Sequence, residues 1–435
     1  MNRRWAFVTL GTIGALTLTL APQASAATTW DPVRTIVGPG TPALVNGLAA
    51  SRMTAGGRSV VAYTVMEPTP RLYVTVGRGT RFPAGRLLSS GEAGNPAVAI
   101  SASGRKALVG WSQYEADTTT TIRAAWYRHG AWSRSRVLAR SAPGDTLYGP
   151  NFAANDSLTR GVVAWQLPRG DHGMYFRRWK GTRFAAATRL NRAGGYLGAP
   201  DVAITGTTLT FALSRGRTGS QTVEVVQVNG NRRRSTVLGR GFGIASIPEL
   251  ATSADGTAAL ASWTVYTGTD PRVYGASRRN GTWSSAQALG PTGSAHPLVD
   301  LSADGRQGLL SWTRGTHDIP NLLEARRQVK GRWGSTTVLS REATRSGQSQ
   351  SLSASGRRAT VLWSTYTGFV ASGARSLTGR TWGPATVPGG DRPGQGFSAL
   401  SASADGTRLT AWWTVLWNPG DPVVRVGLQR ASGGS

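Results

Sequence analysis

One phrase recurs down the chain at intervals of about fifty residues, and that periodicity restricts the fold more than any other feature. An apolar run meets a polar turn, Ser253-Ala254-Asp255-Gly256, and a second apolar run then closes on Trp263. The same phrase leads through Gly104 to Trp111, Gly305 to Trp312, Gly356 to Trp363 and Gly406 to Trp413, with weaker copies ending at Tyr63, Trp165 and Phe211. The eight anchors stand 48, 54, 46, 52, 49, 51 and 50 residues apart. Self-similarity at such a period marks a chain that stacks one supersecondary unit many times.

A second phrase follows each of the first seven anchors: a glycine, an aromatic two or three positions later, then small residues and an apolar pair. Gly130 with Trp132, Gly281 with Trp283, Gly331 with Trp333 and Gly379 with Trp382 show it best, while Gly230 opens a copy without its aromatic. The eighth copy stands instead near the N-terminus, at Thr29 to Val37. Each unit reads as four short strands. The first two are nearly continuous in apolar and small residues, as strands buried between neighbouring sheets are. The Asp-Gly or Ser-Gly between them tolerates the positive φ of a tight hairpin. The third strand is more polar, and the fourth carries the outer Trp.

Four-stranded units of this length are the blades of a propeller. The expected fold is all-β, a β-propeller of about eight four-stranded blades, or seven if the irregular unit around Phe211 is not a full blade. The repeats fall near 42–90, 91–140, 141–192, 193–240, 241–290, 291–340, 341–390 and 391–430, with 28–38 as the outer strand that closes the ring. The phrases Ser-Ala-Asp-Gly to Trp and Gly-x-Trp resemble the repeats of secreted bacterial β-propeller proteins, loosely sialidase-like or WD-repeat-like. That resemblance covers the chain after residue 26 and implies architecture, not activity. Sialidase aspartate boxes keep Asp and Gly apart and end in Trp, unlike Ser253 to Thr257.

Residues 1–26 read as a signal peptide: Arg3 and Arg4, an apolar run from Ala6 to Leu20, and Ala24-Ser25-Ala26 before the cut. The run is shorter than a membrane span. The mature domain, 27–435, is expected to be secreted, extracellular and monomeric, with no membrane span. The chain has no Cys, so burial and strand pairing alone must hold it together.

The formal net charge is +28, from 49 basic and 21 acidic residues, and Lys occurs only at 106, 180 and 330. Codon preference accounts for Arg over Lys but not for the excess of basic over acidic residues. Such a field draws polyanions. The basic residues gather at the hairpins between third and fourth strands: Arg177 and Arg178; Arg232, Arg233 and Arg234; Arg278 and Arg279; Arg326 and Arg327. Repeated around a propeller, and taken to lie at exposed turns, they form a basic belt on one face. A solubility surface is the bland alternative.

Other candidates are weaker. The once-per-unit Trp residues read as core, and Asp255, Asp304 and Asp405 alternate with Ser103 and Ser355, so their turn needs only a short polar residue. Tyr114, Tyr266 and Tyr366, with Trp417, stand where the second strand enters the next loop and can stack on sugars. Carboxylates gather in the same loops, among them Glu115, Asp117 and Asp270. The four His residues show no metal-ligand spacing, no catalytic motif appears, and neither metal nor cofactor is expected. The reading is a non-enzymatic binding protein for an anionic extracellular polymer: cell-wall polymer, acidic polysaccharide or nucleic acid. The alternative is a glycan-acting enzyme, glycoside hydrolase or sialidase-like, or a lectin recognising cell-surface glycan, using the loop face between second and third strands.

Overall fold

The computed structural model describes residues 44–415, apart from 67–68, 80, 90, 168–172, 191–199, 217–218, 243, 247, 268–269, 316–320, 368 and 387–394. The segments 1–26 and 28–38 and the chain beyond 415 lie outside the described residues. Those described contain antiparallel sheets and no helix.

Repeat 2 shows the plan. Glu92–Ile100 pairs with Lys106–Tyr114, which pairs with Thr120–Arg128; two short segments, Ala131–Trp132 and Arg136–Arg140, complete the outer edge. We call these positions strands A to D. Repeats 1, 3, 4 and 5 repeat the order. Repeats 6 and 7 are merged, because Thr337–Leu352 serves as strand D of one and strand A of the next. Repeat 8 is described through Gln395–Ala402 and Leu409–Val415.

The recurring aromatics explain why successive sheets stack. Trp111, Phe211, Trp263 and Trp312 are fully buried on their B strands, and Tyr63, Trp165 and Trp363 nearly so. Each from the second repeat to the seventh packs into the sheet before it. Trp263 of repeat 5 lies with Ala212, Val223 and Val225 of repeat 4, and Trp363 of repeat 7 with Leu309 and Leu323 of repeat 6. The core is therefore a series of slabs between sheets rather than one centre, and the Trp period is the period of those slabs.

The turns between strands A and B form a second chain of contacts. Ala254 N donates to Ala303 O at 2.9 Å, Ala303 N to Ala354 O at 2.8 Å and Ala354 N to Ala404 O at 2.6 Å. Gly305 has φ +69°, and a Cβ there would come 2.4 Å from the Ala258 Cβ of the preceding repeat. The turn thus needs glycine for both its backbone and its neighbour. Asp255 Oδ1 accepts from Ser253 Oγ at 2.6 Å and from Thr257 N at 3.0 Å, which holds its carboxyl down to about 2. Ser355 accepts from Arg357 N in the same way. These aspartates close turns.

First strands of successive sheets lie against one another, and Gln395–Ala402 of repeat 8 also lies against Leu44–Met53 of repeat 1. Arg408 Nη1 donates to Ala55 O at 3.2 Å across the same boundary. Around these inner strands, side chains bond the next repeat: Leu250 N donates to Asp201 Oδ2 at 2.7 Å, and Leu400 N to Ser349 Oγ at 3.0 Å.

Candidate functional site

The turns A-to-B and C-to-D share one face. Lys330 N donates to Arg306 O at 2.6 Å and Gly181 N to Thr159 O at 2.8 Å, each tying the two turns of one repeat. The B-to-C loops lie at the other end of the strands.

On the turn face the arginines of strands C and D divide into two kinds. Some are clasps. Arg128 Nη2 donates to Gly181 O at 3.1 Å and Arg178 Nη2 to Gly230 O at 3.3 Å, each reaching the C-to-D turn of the following repeat. Arg327 donates to Gly379 O, to Gly356 O at 2.6 Å and to Gln307 Oε1 at 3.1 Å. Arg278 donates to Gly256 O within its own repeat and is 5% exposed. The placement of Arg326 and Arg327 at exposed turns is therefore corrected: both are half-buried, and Arg326 Nε donates to Thr336 Oγ1 at 2.8 Å. A guanidinium on a long stem spans the gap between sheets, and its donors suit the carbonyls that a glycine turn exposes.

The others are open. Arg232, Arg233 and Arg234 are all exposed, at the start of the fourth strand of repeat 4. Arg177 and Arg279 are half-buried. Among the described residues none of the nine belt arginines stands in an ion pair. Arg177 Nε, Arg178 Nε, Arg278 Nε, Arg279 Nη2 and Arg327 Nε are buried without a hydrogen-bond partner. Burial, and then the charge of Arg234 from the neighbouring repeat, lower the pKa of Arg278. Arg327 is lowered by burial and by Arg380. Arg278 and Arg327 thus each meet a cation across a blade boundary, and Asp255 acts against that effect at Arg278.

Between repeats 3 and 4 the belt opens into a cleft. Everywhere that Ser-Ala-Asp/Ser-Gly forms the A-to-B turn, four residues separate the closing pair, as between Ser253 and Ala258. In repeat 4 only Gly206 and Thr207 lie between the paired Thr205 and Thr208. Beside the shorter turn lies a cavity of about 390 Å³, lined by Ile204 and Leu209 of repeat 4, by Trp179 and Phe184 of repeat 3 and by the basic Arg160, Arg178, Lys180 and Arg183. A second cavity of about 400 Å³ adjoins it beyond Arg178 and Ala185, where Arg189 and Arg233 join the rim. Arg178 sits between the two, its guanidinium 5.9 Å from the Phe176 ring.

At the B-to-C end four arginines are paired with carboxylates. Arg123 meets Glu115 at 2.7 Å, Arg140 meets Asp117 at 3.0 Å, Arg215 meets Glu224 at 3.2 Å and Arg314 meets Glu324 at 2.8 Å. Hydrogen bonds from Arg123, Thr121 and Gln113 outweigh burial and draw Glu115 down. Tyr114 is 44% exposed there and Tyr266 half-buried. For Tyr366 only the backbone is described, and Trp417 lies outside the described residues. Tyr148, 45% exposed at the start of strand A of repeat 3, joins Tyr114 at this end. It follows no repeat, so periodicity could not find it. No group of three or more His, Asp or Glu among the described residues is arranged to hold a metal ion.

No family model matches the chain, and no curated protein does. Among solved structures it is similar to the Dos1 propeller, at 10% identity and a TM-score of 0.54, over 93% of this chain and 96% of that one. The fold is a β-propeller. A prolyl endopeptidase (15% identity, TM-score 0.49, 86% of this chain) is also similar, and the chain spans 55% of its length. So is the β-propeller domain of the Trilobed protease from Pyrococcus furiosus, at 10% identity and a TM-score of 0.46, over 79% of this chain and 97% of that one. In propeller terms the four-stranded repeats are blades, the belt follows the turn face, and the cleft separates the third and fourth of them. The cleft escaped sequence reading because no motif marks it.

Proposed function

We propose that this chain is an extracellular, eight-bladed β-propeller that binds an anionic polymer through its turn face without chemical turnover. The fourth unit counts as a blade because it has four paired strands, from Asp201–Thr205 to Arg232–Phe242. The Arg408 contact to Ala55 supports a closed ring, with the Trp30 segment as outer strand of the last blade. The carrying observation is the division of charge. At the loop end Arg123, Arg140, Arg215 and Arg314 have carboxylate partners, whereas none of the nine belt arginines has one among the described residues, and Arg278 and Arg327 each meet another cation across a blade boundary. A fixed array of such cations gains most from an anionic chain that releases counterions as it docks. Retention on heparin or DNA columns at physiological salt, weakened in an Arg232→Ser/Arg233→Ser/Arg234→Ser variant that melts as the parent does, is the expected result. A parent that passes both columns unretained overturns the reading.

A second reading rests on Tyr114 and Tyr148. Two exposed aromatic rings at the end of the blades that carries the Glu115 and Asp117 network offer faces on which a neutral glycan can stack. Binding to an uncharged glycan that survives high salt and falls in Tyr114→Ala favours it over the polyanion reading.

A further inference from the structure

We propose that the Asn280-Gly281 turn of the fifth blade is a modification site, where Asn280 deamidates without an enzyme and sets a carboxylate among the belt arginines. The chemistry asks for an asparagine side chain free to fold back on the chain, followed by a backbone nitrogen that is unbonded and uncrowded. Glycine meets the last demand because it has no Cβ. The chain carries Asn-Gly at 46, 229 and 280. The sequence offers three candidates, and the structure separates them.

Asn46 lies inside the first strand, with Gly47 paired to Thr64. Asn229 is the last residue of its strand and pairs with Arg232, its Oδ1 accepts from Thr207 Oγ1 at 3.1 Å, and Arg178 holds the Gly230 carbonyl at 3.3 Å. Asn280 stands in the turn itself, exposed, at φ +49° between the paired Arg279 and Thr282. Among the described residues its side chain has no recorded hydrogen bond, and neither the N–H nor the carbonyl of Gly281 has one. Equivalent turns are tied down. Gly181 N donates to Thr159 O at 2.8 Å and Gly379 N to Arg357 O at 2.9 Å, and Arg128 and Arg327 clasp their carbonyls from the preceding blades. A Cβ placed at Gly281 would meet nothing within 4 Å, so this turn has room to change shape.

Hydroxide takes the proton from Gly281 N, the nitrogen attacks Asn280 Cγ, and the Cγ–Nδ2 bond breaks as ammonia leaves with a proton from water. A cyclic imide remains. Water adding at Cγ opens it to aspartate, and water adding at the backbone carbonyl opens it to isoaspartate. The belt cations favour the charge that the nitrogen takes on at both exposed sites alike, so it is the restraint that discriminates. Either product puts a carboxylate next to Arg279 and two residues from Arg278. By the polyanion reading, on which this consequence rests, the belt then holds its polymer less tightly.

The test incubates the folded parent at mildly alkaline and at mildly acidic pH and follows both sites by tryptic peptide mapping with mass detection. Asn280 opens one tryptic peptide and Asn229 lies in another that ends at Arg232, so each site is read alone. In the folded protein Asn280 should react about tenfold faster than Asn229, the factor carried by the hydrogen bonds that the Asn229 turn must first break. The reaction should slow in acid, and in denaturant the two sites should react at similar rates. Equal rates in the folded protein, or a folded protein intact at Asn280 after the denatured one has reacted, overturns the site. Asn280→Asp should elute from heparin at lower salt than the parent. Co-elution with a retained parent overturns the consequence for binding, whereas a parent that heparin does not retain overturns the polyanion reading and leaves the mapped site standing.

Discussion

The two ends of the blades handle their arginines in opposite ways. At the loop end Arg314 meets Glu324, a side chain 4% exposed, and Glu324 also accepts from Trp312 Nε1 at 2.9 Å. The cation there secures a core tryptophan. At the turn end Arg327 spends its donors on glycine carbonyls of the next blade, and Arg232 to Arg234 spend theirs on none that the structure records. Arg123 and Arg314 meet well-buried carboxylates at the loop end, whereas the belt arginines stand without a carboxylate partner among the described residues.

The comparison can be broken most forcefully at the slabs on which both ends depend. Trp263→Ala should destabilise the fold by about 3–5 kcal/mol, the usual cost of emptying a large aromatic site, measured by denaturant unfolding. Next in size is the loop-end pair. Glu324→Gln leaves Arg314 without its counter-charge and weakens the Trp312 contact, for an expected loss of about 2–3 kcal/mol. A loss that small surface substitutions also show would mean that pairing does not distinguish the ends.

The inner strands sharpen the contrast through pH. Burial, followed by the charges of Asp201 and Asp300, pushes the Glu249 carboxyl up to about 8 from an ordinary value near 4.5. The folded chain therefore holds a proton that the unfolded chain has lost within that window, and stability falls as pH rises through it. Glu249→Gln cannot lose the proton. It should melt above the parent at pH 8, by on the order of 1–2 kcal/mol, and match it near pH 4. Parallel curves for the two proteins would refute the assignment. The smallest effect belongs to the open arginines: Arg232→Ser, Arg233→Ser and Arg234→Ser together should leave stability within about 0.5 kcal/mol, as surface changes do.

How much of this was legible before the structure follows from which forces are periodic. The slabs are periodic, so Trp111, Trp263 and Trp312 announce them, and the Asp-Gly turns announce the hairpins. The belt was legible as a set of residues but not as roles. Arg177 and Arg178 are adjacent in sequence, yet Arg178 clasps the next blade and lines the cleft while Arg177 does neither. Side-chain direction alternates along a strand, and only the register of the sheet decides which arginine faces the gap. The cluster of Asp201, Glu249 and Asp300 draws on strand A of three blades, with nothing local to mark it. The Trp30 segment and Trp417 lie outside the described residues.

The central claim, that the turn face is an unneutralised cation array for an anionic polymer, is tested most directly by the salt slope of binding. Dissociation constants for one labelled single-stranded oligonucleotide are measured at a series of salt concentrations, for the parent and for the Arg232→Ser/Arg233→Ser/Arg234→Ser variant. The parent should show a steep linear fall of log affinity against log salt, and the variant a slope shallower by roughly 2 to 3 units, about one for each lost phosphate contact. Identical slopes in the two proteins, or affinity indifferent to salt, would contradict the account.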